Sequence, residues 1–66
     1  MNRKQIRDER IKSLTDWVKE RGFILDDVIK RVSCFSQLTY GVTQRTAWSY
    51  GIEVANTIWS ENNACN

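Results

Sequence analysis

No proline interrupts the 66 residues, and glycine appears at three positions: Gly22, Gly41 and Gly51. Proline costs about 3 kcal/mol in a helix interior and glycine about 1 kcal/mol, so a chain with so few breakers is free to run in long helices. Gly22 and Gly41 fall between stretches of helical periodicity and mark two ends. Gly51 falls inside such a stretch. The sequence therefore predicts an all-α chain of three or four helices. Its length allows one domain, residues 1–66, with a modest core. A chain of this size buries only about 60% of its unfolded surface. Hydrophobic residues at 41% and charged residues at 27% suit a folded domain rather than a disordered one.

The first helix is expected over about 2–21. Ile6, Ile11, Leu14, Trp17 and Val18 share one arc of a 3.6-residue wheel, with Asp8, Glu9, Asp16, Lys19 and Glu20 opposite. Arg3, Arg7 and Arg10 lie on the apolar side. Ahead of Ile11 there is little apolar surface to pack, so this end reads as a projecting basic arm or a solvated helix end. Trp17 reads as core. After Gly22, the apolar connector Phe23-Ile24-Leu25 leads to Asp26 or Asp27 as the next cap. Val28, Ile29, Val32, Phe35, Leu38 and Tyr40 then recur at helical spacing. Ser33, Cys34 and Ser36 are weak helix formers, and a break there would divide the segment in two.

The last helix is expected over about 43–61, with Thr43 as its N-cap. Val54, Ala47, Ile58 and Gly51 form one stripe. Trp48, Ile52, Ala55 and Trp59 form a second beside it, making an apolar arc about 160° wide, more than one packing face needs. The 4-3-4 spacing of the second stripe is that of a short helix–helix seam. It predicts a homodimer joined through Ile52, Ala55 and Trp59, unless the first helix covers the stripe within one chain. The tail, 62–66, is polar.

Several chemistries find no support. There is no histidine, so the commonest general base and metal ligand are missing. Two cysteines, Cys34 and Cys65, are too few for a structural zinc site. Paired, they would close a loop of about 30 residues, worth about 3–4 kcal/mol in a chain-entropy picture; a reducing cytosol would keep them apart. No phosphate-binding glycine loop and no paired nucleophile and base occur, and the acidic pairs Asp8-Glu9 and Asp26-Asp27 read as surface charge and a cap. The expectation is a cytoplasmic protein that is not an enzyme, has no cofactor or small-molecule ligand, and does not enter a membrane. Net charge is +2, unevenly spread. Arg45 is the one base after Ser33, against Glu53 and Glu61; the other nine bases and six acids come earlier.

The most informative stretch is Leu38 to Tyr50. It reads as a helix end, a reversal at Gly41 and a second helix start, with Leu38, Val42 and Ala47 apolar where two crossed helices would touch. Tyr40-Gly41-Val42-Thr43-Gln44-Arg45-Thr46-Ala47, followed by Tyr50, resembles the helix-turn-helix of small bacterial, archaeal and viral transcription regulators. The likeness spans about 20 residues, Val32 to Ile52. No strand pair follows, so the winged form is not expected. The family usually carries a small residue four positions before the turn glycine. Here that residue is Gln37, which must turn outward or crowd the crossing.

The resemblance implies binding of double-stranded DNA, with the helix after the turn in the major groove. By position it assigns DNA contacts to Thr43, Gln44, Arg45, Trp48 and Ser49. Gln44 suits adenine, Arg45 guanine or a phosphate, and Thr43 a phosphate. Trp48 stands where the family shows a polar or basic residue, and suits a thymine methyl, a sugar edge or a protein partner. Arg3, Lys4, Arg7, Arg10, Lys30 and Arg31 would supply the sequence-independent phosphate attraction. The implied function is a small transcriptional regulator acting as a homodimer. The alternative is a helix-turn-helix-like module that binds another protein through Trp48, Ile52 and Trp59.

Overall fold

In the computed structural model the residues described are 2–62. They form three helices, α1 (Arg3–Arg21), α2 (Leu25–Tyr40) and α3 (Gln44–Asn62), and no strand among the described residues. Both connections are three residues long, which makes consecutive helices neighbours. The expected all-α class holds, with three helices rather than four.

Each helix end has a local cause. At the start of α1, the Asn2 side chain accepts from the Gln5 N–H (2.8 Å) and the Gln5 side chain accepts from the Asn2 N–H (3.2 Å). This reciprocal pair satisfies two otherwise orphaned donors. Gly22 and Gly41 end α1 and α2 in the left-handed region, at φ 70° and 64°. Their N–H groups donate to the carbonyls of Val18 (2.9 Å) and Gln37 (3.1 Å). A residue with a Cβ is strained in that conformation. Thr43 caps α3 as expected: its Oγ1 accepts from the Thr46 N–H at 3.2 Å, and its carbonyl takes the Ala47 N–H at 2.9 Å.

Three expectations about α2 are corrected. Neither Asp26 nor Asp27 caps it; Ile24 occupies the N-cap with no side-chain hydrogen bond, and both aspartates lie in the first turn. There they act through charge, facing the positive end of the helix. The predicted break at Ser33–Ser36 is not present, and the helix runs unbroken from Leu25 to Tyr40. Ser33 and Ser36 are buried, so the weak helix formers serve as small residues on the packed face. Leu38 is 82% exposed, not at the crossing. It stands two positions from Ser36, about 200° around the helix, which puts it on the opposite side.

The core is Leu14 and Val18 from α1, Val28 and Val32 from α2, and Tyr50 and Val54 from α3, flanked by Ile11 and Ala55. Fully burying a Val- or Leu-sized side chain contributes about 1.5–3 kcal/mol. Trp17 joins this core as expected, stacking on Phe35 (centroids 4.2 Å apart) and meeting Phe23 edge-on (5.2 Å). The dominant contact is α2 against α3. Its closest point is Gly51, where an added Cβ would lie 2.7 Å from the Ile29 carbonyl oxygen and 2.9 Å from the Ile29 Cα. The two backbones touch there, which glycine alone permits.

α1 lies along α3 in the same direction. Arg7 near its start meets Ser49 and Glu53, and Lys19 near its end meets Glu61. These ion pairs are well exposed, and such pairs contribute at most about 1 kcal/mol. They fix the alignment more than the stability. No described helix is long and apolar enough to cross a membrane.

Candidate functional site

The first two turns of α3 set out the exposed residues around which a site can form. Ala47, one turn into the helix, is fully buried, as are Tyr50 and Gly51 just behind it. With that face turned inward, Gln44, Arg45 and Trp48 turn outward. Gln37 is also exposed, so the crowding its length threatened is relieved by orientation. Gln44, Arg45 and Trp48 together line a shallow hollow of about 310 Å³. A neighbouring hollow of about 430 Å³ extends along the same side of α3, from Arg45 and Trp48 past Ile52 to Asn56.

The start of α1 is not a projecting arm. Arg7 donates to Ser49 Oγ at 3.1 Å and pairs with Glu53, and its guanidinium carbon lies 5.1 Å from the centre of the Tyr50 ring. Arg10 lies 4.7 Å above the Tyr40 ring and donates to the Tyr50 hydroxyl at 3.2 Å. The two tyrosines meet edge-on at 6.5 Å. Cation–aromatic contacts of this kind contribute about 0.5–1 kcal/mol at exposed sites and more when desolvated. They explain why arginines occupy the apolar side of α1: their guanidinium groups lie over the tyrosine rings and are held by the Ser49 and Tyr50 hydroxyls and the Glu53 carboxylate.

The fold thus gathers bases that the sequence keeps apart. Arg3, Arg7 and Arg10 line one hollow of about 420 Å³ with Val42, Thr46 and Tyr50, beside the N-terminal half of α3. The first turn of α3 contains no acidic residue, and the backbone N–H groups of a helix start add partial positive charge. Glu53 offsets part of the charge on Arg7. Ser49 is half-buried, and its hydroxyl accepts from Arg7.

The other residues expected to contact DNA are placed differently. Lys4 is exposed on α1. Lys30 and Arg31 are on α2, around a separate hollow of about 440 Å³ shared with Asp27, Cys34, Phe35 and Leu38. Arg31 lies 5.3 Å over the Phe23 ring. Of the residues expected to join two copies, Ile52 and Trp59 are 41% and 56% exposed, whereas Ala55 faces the core at 9%. The Cys34–Cys65 pairing falls outside the described residues at Cys65; Cys34 itself is exposed. Among the described residues, no three acidic or cysteine side chains gather as a metal site requires.

Sequence reasoning missed Tyr40, Tyr50 and Glu53 as organisers of this surface. The signal available was the placement of Arg7 and Arg10 on the apolar arc of α1, which demands aromatic or acidic partners somewhere in the chain. The chain matches no protein-family model, and neither a curated protein nor a solved structure is significantly similar to it.

Proposed function

We propose that this protein binds double-stranded DNA, with the N-terminal half of α3 entering the major groove as the recognition element of a helix-turn-helix, and that it acts as a small transcriptional regulator. One observation carries the reading. Arg3, Arg7 and Arg10 of α1 stand beside the start of α3, where Gln44, Arg45 and Trp48 are exposed. A groove-entering helix needs base-reading side chains on its outer face and cations on the flanks to meet the phosphates. The uneven charge of the sequence, with its bases far from α3 in the chain, is compatible with this role because α1 returns three of them to α3. A homodimer belongs to the same proposal, with Ile52 and Trp59 as its exposed apolar contacts. Two recognition helices would then address major grooves about 34 Å apart.

The double change Gln44→Ala with Arg45→Ala tests the reading. Both side chains are exposed, so the helical signal and melting temperature should hold. Affinity for a selected duplex should fall by about 1–3 kcal/mol for each base-reading side chain removed. Unchanged affinity for that duplex would remove α3 as the reading element. A second reading is favoured by the exposure of Trp48, Ile52 and Trp59: a module that buries this side of α3 against another protein. On that reading the double change does almost nothing to binding.

A further inference from the structure

Resting on the duplex-DNA reading, we propose that Trp48 is a specificity-determining residue that reads the C5-methyl group of thymine, beside an adenine held by Gln44. Trp48 is 48% exposed on the outward side of α3, one turn after Gln44. The hollow between Gln44, Arg45 and Trp48 has mainly apolar walls. Almost every group on the floor of the major groove is a hydrogen-bond donor or acceptor; the thymine methyl is the apolar exception. An indole has one donor and no acceptor, so a tryptophan on the reading face has little to offer the polar edges and most to gain from the methyl.

The spacing is consistent with this pairing. Side chains four apart on a helix stand about 6 Å apart at Cβ, and base pairs step by about 3.4 Å. Gln44 on an adenine therefore sets Trp48 about two steps away, within reach of a thymine methyl on either strand. Arg45 and the arginines of α1 fix the duplex against this face through its phosphates. A second copy of the chain is the competing occupant of Trp48, and the experiment separates the two.

The test uses a duplex enriched by this protein from a random pool, resynthesised with uracil replacing each thymine in turn. Uracil keeps every hydrogen-bonding group and lacks only the methyl. At one or two positions the wild-type chain should lose about fourfold in affinity, the equivalent of one buried methyl group. Trp48→Ala should bind the thymine and uracil forms of those positions alike, with its melting temperature tracked as a control on folding. Wild-type binding that ignores uracil at every position overturns the methyl reading and leaves the DNA reading intact. A dimer that Trp48→Ala converts to a monomer assigns Trp48 to a second copy and also overturns it. Failure to bind any duplex at low salt defeats both readings together.

Discussion

The two sides of α3 differ in what they ask of their residues. Its inward side carries Ala47, Tyr50, Gly51, Val54 and Ala55, all buried, with Tyr50 the one large side chain among them; its outward side carries Trp48, Ile52 and Trp59, all more than 40% exposed. Gly51 is the consequence of a close approach: α2 and α3 touch at Ile29 and Gly51, and nothing larger fits at that point. Packing between the three helices places no such demand on the large apolar residues outside. Solvating two tryptophans and an isoleucine on one helix is costly, which is the physical ground for proposing an interaction face there. The inward side answers to the fold, and the outward side is where the proposed partner would meet α3.

That division makes substitutions on the two sides differ in kind. The largest effect on stability is expected at Gly51→Ala. Alanine is the better helix former by about 1 kcal/mol, but its Cβ would meet Ile29 backbone, and overpacking of this kind costs about 1–3 kcal/mol. The melting temperature should fall by several degrees; a rise would show that α2 and α3 can separate freely. A smaller effect, of opposite sign, is expected at Ser36→Ala. Ser36 is fully buried and its hydroxyl has no hydrogen-bond partner. Removing it should leave stability equal or raise it by about 1 kcal/mol, as read by urea denaturation. A clear loss would mean that the hydroxyl is satisfied in solution. The smallest effect is expected at Trp48→Ala, within about 0.5 kcal/mol on folding. In a core position, the same truncation would cost about 3–5 kcal/mol. A large loss there would erase the contrast between the two sides.

Much of this was legible in the sequence. Gly22, Gly41 and Thr43 announced helix ends because each position needs a specific backbone conformation or capping atom. The inner stripe of Ala47, Gly51, Val54 and Ile58 followed from periodicity. Periodicity reports an arc, however, and not what covers it. The roughly 160° arc of α3 held both sides of the helix, and only the packed core assigns Ala55 inward, 9% exposed and one turn after Gly51. Leu38 was misplaced for the same reason: an apolar residue at helical spacing can stand just beyond the packed face. The clustering of Arg3, Arg7 and Arg10 at the start of α3 was not legible, because it depends on α1 running in the same direction as α3. That alignment joins residues more than 40 positions apart, such as Arg7 and Ser49.

The proposed duplex-binding surface is the outward side of α3 with its flanking arginines. Its most direct test is fluorescence anisotropy with a random-sequence duplex at 50 mM and 200 mM salt (roughly the range over which phosphate contacts declare themselves), on protein of known mass in solution. Binding at low salt should weaken at least tenfold across that range, since each phosphate neutralised adds about 0.9 to the log–log slope. A folded chain that binds no duplex at low salt, or binds it with no dependence on salt, would rule this surface out.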